Sequence, residues 1–275
     1  MLVRFLDLGG YRTRTYVAGS GPALILVHGG GASADAYVRN IEVLAERHTV
    51  YAPDLLGHGF ADWPDPRGRT PQELQVEHLG RFVDALGLTR YTLAGWSFGG
   101  LVVGLHALAR PNQVERLIFI GSSSVFHPLD QRREIHQAVF DNQIKALENP
   151  SRDSIRKRNT GSNHRKDDPF EEIVLTQLTF FAWPQRQEAF RYTIEGLQRA
   201  TAMPEHQMFP RLEAISVPTL VITGRNDPRA KWDVVDANVR RIKGARHEIM
   251  EGCGHKPFSE DPETFNRLVK AFLAG

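Results

Sequence analysis

The stretch "LAGWSFGGLVVG", which runs from Leu93 to Gly104, sets Ser97 between Gly95 and Gly99. It joins the apolar strand pattern "YTLAGW" to the helical pattern "SFGGLVVGLHALARP". A residue that leaves a strand and opens a helix in one step must adopt a strained backbone conformation. Side chains two positions away on either side would collide there, and glycine removes them. The pattern predicts a strand-to-helix turn that lifts the Ser97 hydroxyl above a sheet.

Strand-like and helical patterns alternate on both sides of this turn. The run "ALILVHG" is short and apolar, as a strand buried on both faces of a parallel sheet is. The patterns "TVYAPDL", "VERLIFIGS", "PTLVITG" and "RHEIMEG" are interpreted as further strands. This alternation predicts an open α/β sheet with helices on both faces. Between Ser122 and Ala214 the sequence shows helical patterns and no strand-like patterns. We therefore expect a core formed by residues 1–121 and 215–275, and a helical cap at residues 122–214.

The cap contains a polar stretch, "NPSRDSIRKRNTGSNHRKDD", between two helical patterns. It reads as a loop or as a short solvated helix. Its charge run, "RKR…HRK", is typical of a solvated face, and an anion-binding rim is the alternative interpretation.

A serine hydroxyl needs a base, and the base needs an orienting carboxylate. His255 lies in "EGCGHKPFSEDPE", directly after the last strand pattern, and Asp227 follows the strand pattern "PTLVITG". Loops beyond the carboxyl ends of the strands form the active face of an open α/β sheet. The sequence therefore predicts a catalytic group of Ser97, Asp227 and His255.

Backbone N–H groups near Ser97 are candidates for an oxyanion hole. The N–H of Phe98 lies at a helix start, where donors lack intrahelical acceptors and the helix dipole favours negative charge. The glycine run in "HGGGASADAY" supplies a second donor, for which we favour Gly30, with Gly31 as the alternative. A phosphate-binding loop is the less favoured reading of this run, because the full dinucleotide and P-loop patterns are absent.

Composition narrows the classes of partner. The chain has 275 residues, a formal net charge of +2 and one cysteine, Cys253, so the sequence gives no reason to expect a nucleic-acid partner, and no intrachain disulfide forms. No apolar run reaches the roughly 20 residues of a membrane span, and the N-terminal residues lack a signal-peptide pattern. We expect a cytoplasmic protein without membrane attachment and without a bound metal. A homodimer is compatible with the sequence.

The pieces "LVHGGG", "APDLLGHG", "LAGWSFGG", "PTLVITGRNDP" and "GCGHKPFSEDPETFNRLVKAFL" resemble the α/β-hydrolase superfamily, in the family's order. The resemblance implies an eight-stranded, mostly parallel sheet, a helical cap after the sixth strand, and no cofactor. It also implies that the family's nucleophile, acid and base correspond to Ser97, Asp227 and His255.

Within the superfamily the sequence is similar to esterases and to hydrolases of meta-cleavage products, which cut carbon–carbon bonds of ring-opened aromatics. The second group usually has Asn where this chain has Trp96, and often Trp where it has Lys256. We therefore expect hydrolysis of a small, hydrophobic or aromatic carboxylic ester first, and carbon–carbon bond hydrolysis second. A receptor-like protein that binds ligand with little turnover is a third class. Trp96, Lys256 and Trp183 are tentative pocket residues for the small-molecule substrate.

Overall fold

The structure is a computed structural model that describes residues 1–166 and 171–275, without the side chains of Lys145 and Glu172. Its strands are β1 (Leu2–Asp7), β2 (Arg12–Ala18), β3 (Ala23–Val27), β4 (Thr49–Pro53), β5 (Tyr91–Trp96), β6 (Val114–Ile120), β7 (Thr219–Gly224) and β8 (Arg246–Met250). Its α-helices are α1 (Ile41–Leu44), α2 (Pro71–Ala85), α3 (Phe98–Ala109), α4 (Ser123–Phe126), α5 (Leu129–Glu148), α6 (Arg152–Thr160), α7 (Glu171–Phe181), α8 (Pro184–Ala200), α9 (Trp232–Val239), α10 (Pro257–Glu260) and α11 (Pro262–Ala274). Of the helices described, none has the length and the apolar character needed to cross a membrane.

The strands form one sheet in the order β1-β2-β4-β3-β5-β6-β7-β8. The pairs β1–β2 and β2–β4 are antiparallel, and all the other pairs are parallel. The predicted eight-stranded, mostly parallel sheet is thereby confirmed. Because β5 lies between β3 and β6, the turn after it opens near the middle of the sheet edge.

Apolar side chains cover both faces of the central strands. Every residue of β3 and β5 is buried, and two separate clusters of buried apolar residues lie on the two faces of the sheet. The N-terminal hairpin of β1 and β2 has no counterpart among the strand patterns read from the sequence. Its first strand is almost wholly exposed, so the apolar run that marks a buried strand is missing there.

The helices α4 to α8 are inserted between β6 and β7, which confirms a helical insertion after the sixth strand. Helices α5 to α8 enclose a small apolar cluster of their own, which includes Ile155 and Phe190. The boundaries of the cap at residues 122 and 214 stay a prediction. The polar stretch forms the helix α6, which Ser151 caps. The end of that stretch and the start of the following helical pattern, residues 167–170, lie outside the described residues.

Candidate active site

Ser97 occupies the strand-to-helix turn that the sequence predicts. It follows β5 directly, caps α3, and has φ 54° and ψ −116°, a strained conformation for a residue other than glycine. A Cβ atom on Gly95 would lie 2.3 Å from the carbonyl oxygen of Gly99, and one on Gly99 would lie 2.3 Å from that of Val27. The Ser122 hydroxyl donates to the Ser97 carbonyl at 2.7 Å. The turn therefore tolerates only glycine at these two positions and is held from the neighbouring strand.

His255 and Asp227 form a buried hydrogen-bonded pair beyond β8 and β7. The distance from His255 Nδ1 to Asp227 Oδ2 is 2.8 Å, and both residues are at most 5% exposed. The other carboxylate oxygen accepts the N–H groups of Arg229 at 2.8 Å and Ala230 at 3.1 Å. Burial alone would raise the pKa of Asp227, but the imidazole and these N–H groups outweigh it and lower the pKa. Asp227 is therefore ionised and fixed in orientation.

The other ring nitrogen of His255 is buried and has no hydrogen-bond partner in the described parts of the chain, Ser97 Oγ included. Burial lowers the pKa of His255 below the ordinary histidine value, and the raising effect of Asp227 only partly opposes it. The imidazole is therefore neutral at neutral pH. With Nδ1–H donated to Asp227, Nε2 is left as a proton acceptor.

Trp96 holds the loop that carries this imidazole. Its indole N–H donates to the His255 carbonyl at 2.8 Å, and the two ring centres lie 5.5 Å apart. From the cap side, the Ser162 carbonyl accepts the His255 N–H at 2.9 Å. Since Trp96 directly precedes Ser97, one short segment positions both residues.

Glu260 fixes the same loop against the cap, and the sequence analysis did not single it out. Its buried carboxylate accepts the N–H groups of Gly254 at 3.0 Å and Lys256 at 3.3 Å. It also accepts those of His164 at 2.7 Å and Arg165 at 3.1 Å. An acid six residues past a glycine-rich loop is a common surface pattern, so no local signal marks this role.

The two alternatives for the second oxyanion donor, Gly30 and Gly31, differ in their surroundings. Phe98 is the first residue of α3, and Gly30 lines both cavities that reach Ser97. Gly31 lines a separate cavity instead, and its carbonyl accepts a hydrogen bond from Arg158 at 2.8 Å. The surroundings of Gly30 therefore fit an oxyanion donor better than those of Gly31.

Two cavities of different character meet at Ser97. One, of about 350 Å³, is polar and contains Arg158, Arg229 and Lys256. The other, of about 520 Å³, is lined by a mixture of polar residues and apolar side chains of the cap, among them Ile135 and Ile194. A bound molecule that spans Ser97 would thus meet Arg158 and Lys256 on one side and apolar cap side chains on the other, with Arg229 lining both cavities.

The predicted pocket residues fall in different places. Trp96 and Lys256 line the polar cavity, and the Lys256 ammonium donates to the Asn159 carbonyl at 2.7 Å. Trp183 is 48% exposed and lines neither cavity that contains Ser97. Arg158 belongs to the charge run expected to be solvated, yet it is buried at the cavity wall, because α6 turns that face inward. The solvated-face interpretation is therefore wrong for this residue.

The sequence of the whole chain was compared with known proteins. A model of the family described as the alpha/beta hydrolase fold matches residues 22–262. The chain belongs to the α/β-hydrolase family. This membership implies a small-molecule substrate.

Relatives of this α/β hydrolase come from two reaction classes. The 2-hydroxymuconate semialdehyde hydrolase of Pseudomonas putida is 28% identical, over 96% of this chain and 92% of that protein. The pimeloyl-[acyl-carrier protein] methyl ester esterase of Aeromonas hydrophila subsp. hydrophila is 27% identical, over 93% and 96%. The solved structure of a 2-hydroxy-6-oxo-6-phenylhexa-2,4-dienoate hydrolase from a Rhodococcus species has a TM-score of 0.84 at 21% identity, over 100% and 99%. Carbon–carbon bond hydrolases and esterases are both represented.

Proposed function

We propose that this α/β hydrolase cleaves a small carboxylic ester through an acyl-enzyme on Ser97. The observation that carries the proposal is the Asp227–His255 pair, whose other ring nitrogen is buried without a partner among the described residues, while the loop of His255 is held by Trp96, the neighbour of Ser97 in its strained turn. A nucleophile, a base and an orienting acid, which follow the strands β5, β8 and β7 of one sheet, are the parts that acyl transfer needs.

In the first half of the reaction Ser97 Oγ attacks the carbonyl carbon while His255 Nε2 takes the hydroxyl proton. The negative charge on the former carbonyl oxygen is accepted by the N–H groups of Phe98 and Gly30. Asp227 stabilises the imidazolium without taking its proton. The imidazolium then protonates the leaving alkoxide, and the acyl group stays on Ser97.

In the second half a water molecule attacks the acyl carbon, and His255 Nε2 takes the proton of that water. Collapse of the tetrahedral intermediate returns the proton to Ser97 Oγ and releases the carboxylic acid. The same two N–H groups stabilise the oxyanion again. The cavity of about 520 Å³, with the apolar side chains of Ile135 and Ile194 in its wall, favours a hydrophobic or aromatic part of the ester.

Hydrolysis of a carbon–carbon bond in a ring-opened aromatic diketone is the second candidate. It is favoured by the relative that acts on 2-hydroxymuconate semialdehyde and by the polar cavity beside Ser97. In that reaction His255 would also assist ketonisation of the dienol. Trp96 argues for the ester reaction, because its indole is committed to the His255 carbonyl and offers no amide group to a substrate.

The two reactions are separated by measuring hydrolysis of p-nitrophenyl butyrate against bleaching of a yellow ring-fission product. We expect ester turnover to dominate. Strong bleaching with weak ester turnover would reverse the ranking, and ligand binding without either turnover would favour a receptor-like protein.

Replacing the nucleophile tests the assignment itself. Ser97→Ala should lower kcat by up to about 10⁶-fold, as loss of a serine nucleophile does elsewhere. The exposed Ser216→Ala is the matched control and should retain full activity with an unchanged circular dichroism spectrum. Turnover that survives in Ser97→Ala would refute the assignment.

A further inference from the structure

The cavity of about 520 Å³ at Ser97, the cap cavity, contains polar side chains that the acyl-transfer reaction does not use. Its wall includes Ser124 of α4 and His136 of α5, next to apolar side chains such as Ile135. Ser124 Oγ and His136 Nε2 lie 3.3 Å apart, within hydrogen-bond distance. A hydroxyl and an imidazole are therefore paired in the wall of the space that receives part of the substrate.

The direction of this hydrogen bond follows from the other ring nitrogen of His136. Burial, followed by the positive charge of Arg132, lowers the pKa of His136 to about 4, so at neutral pH the ring carries a single proton. Nδ1 is buried and has no partner within residues 1–166 and 171–275. A buried N–H without an acceptor is rarer in proteins than an unused acceptor, because it is the more costly of the two. The proton therefore lies on Nε2, and the ring donates to Ser124 Oγ.

The hydroxyl proton of Ser124 is left without an acceptor. A serine hydroxyl has one donor and two acceptor positions, and His136 occupies an acceptor position. The hydroxyl makes no other hydrogen bond to the part of the chain that the structure describes, although Ser124 is only 7% exposed. Because a buried donor that stays unpaired is costly, this O–H has a use if the substrate brings the acceptor.

We propose that Ser124, oriented by His136, is a specificity-determining donor to an oxygen atom in the part of the substrate that occupies the cap cavity. This inference rests on the proposed ester hydrolysis and narrows its substrate class. The preferred ester carries an ether or carbonyl oxygen within an otherwise apolar chain or ring. A purely hydrocarbon group leaves the Ser124 donor unpaired and is therefore selected against. Ile135 and Ile194 line the same cavity and suit the carbon atoms around that oxygen.

The test moves one oxygen atom through each half of an ester of constant chain length. In the acyl half, methyl propoxyacetate, methyl 3-ethoxypropanoate and methyl 4-methoxybutanoate are compared with methyl hexanoate. In the alcohol half, 2-ethoxyethyl acetate and 3-methoxypropyl acetate are compared with pentyl acetate. For each ether the measured quantity is its kcat/KM divided by that of the hydrocarbon ester.

Ser124→Ala should lower this ratio about tenfold for at least one of the ethers, the size expected of one neutral hydrogen bond. Differences in the intrinsic reactivity of the esters cancel, because the same esters are compared in the wild type and the variant. The exposed Ser216→Ala is the matched control and should leave every ratio unchanged. Equal ratios in the wild type and Ser124→Ala across both series would overturn the proposal.

The positioning role of His136 has its own pair of variants. His136→Gln keeps an N–H that reaches Ser124 Oγ and should keep most of the ether preference. His136→Leu leaves the hydroxyl free to rotate and should lose part of it. A merely structural role would lower kcat/KM for ethers and hydrocarbons alike and leave the ratio unchanged. Identical ratios in the two variants would remove His136 from the proposal.

The tautomer of His136 is measured directly. Nitrogen NMR of protein labelled with ¹⁵N in its histidine rings shows which ring nitrogen carries the proton, and His136→Gln identifies the signals by their loss. We expect the proton on Nε2 at neutral pH. A proton on Nδ1 would mean that the hydroxyl of Ser124 donates to the ring, and the free donor would be refuted.

Binding without turnover separates this inference from the reaction on which it rests. In the Ser97→Ala variant, calorimetry should show tighter binding of the preferred ether than of its hydrocarbon partner, and adding Ser124→Ala should abolish the difference. If this binding preference is found while the wild type cleaves no ester, the Ser124 donor stands and the ester hydrolysis fails. If the esters are cleaved without any preference that depends on Ser124, the ester hydrolysis stands and the donor fails.

Discussion

The two sides of the candidate site hold their polar groups in different ways. On the sheet side Asp227 is hydrogen-bonded to His255 and to two backbone N–H groups within three residues. On the cap side the Arg158 guanidinium contacts Gly31, 127 residues away in the chain, and meets neutral groups only. The Asp227–His255 pair on the sheet side is internally balanced, and the Arg158 guanidinium on the cap side is not. This difference suggests that the sheet supplies the chemistry and the cap selects the substrate.

Removing the orienting charge on the sheet side should have the largest effect. Asp227→Asn keeps the size of the side chain but cannot stabilise the imidazolium, and it favours the wrong tautomer of His255. We expect kcat to fall by about 10⁴-fold with little change in KM. Steady-state kinetics on p-nitrophenyl butyrate provide the measurement. A variant with near-normal kcat would mean that Asp227 is not the acid.

A side chain larger than glycine in the turn around Ser97 should destabilise the protein by a steric clash. Gly99→Ala would place a methyl group against the Val27 carbonyl, so we expect a loss of about 3 kcal/mol in the free energy of unfolding. Chemical denaturation measures this loss. The matched control is Gly80→Ala inside α2, where the new methyl group meets only the movable end of Arg110. That variant should gain up to about 1 kcal/mol. Equal responses of the two variants would contradict the packing argument.

The junction between the two sides is tested at Glu260. Glu260→Gln removes the charge and replaces one accepting oxygen by a donor, so two of the four N–H groups lose their acceptor. We expect unfolding to become easier by about 2 kcal/mol. We also expect kcat to fall, because the loop that carries His255 is released from the cap. Glu251→Gln, at an exposed ion pair with Arg225, should change stability by less than about 0.5 kcal/mol.

The smallest predicted effect is a displacement of the pH profile. The base must be neutral, so kcat/KM is lost as the pH falls through the pKa of His255. Since burial lowers that pKa, we expect the acid limb to have its midpoint below pH 6.5, the ordinary pKa of a histidine side chain. Asp227→Asn removes the raising effect of the carboxylate and should move the limb lower still. A midpoint above pH 6.5 in the wild type would contradict the buried, neutral imidazole.

The sheet and the identity of its three candidate residues could be read from the sequence because their signals are local. Apolar runs mark β3 to β7, and glycines two positions from Ser97 mark the turn. The capping box that starts α2 at Thr70 is formed by residues three apart and is a local feature of the same kind. The exposed strand β1 lacks such a run and was found only by its pairing with β2.

The cap side of the candidate site could not be predicted from the sequence, since its contacts join residues that are far apart in the chain. In the sequence, Arg158 is one of several basic residues in a polar stretch, and only the packing of α6 turns it inward. Trp183 was placed wrongly in the other direction. An aromatic residue close to other aromatics in the sequence suggests a pocket wall, but Trp183 lies half-exposed at the start of α8. Glu260 acts through four backbone groups that no side-chain pattern encodes.

The contact between Trp96 and His255 has an optical consequence. The two ring centres are 5.5 Å apart, and a protonated imidazole quenches indole emission at short range, whereas a neutral one does so much less. The intrinsic fluorescence of the chain should therefore dim as this one imidazole takes up a proton. Subtracting the Trp96→Phe spectrum would isolate the signal from the other three tryptophans. The protein thus carries an indicator of the charge on its own base, readable without any substrate.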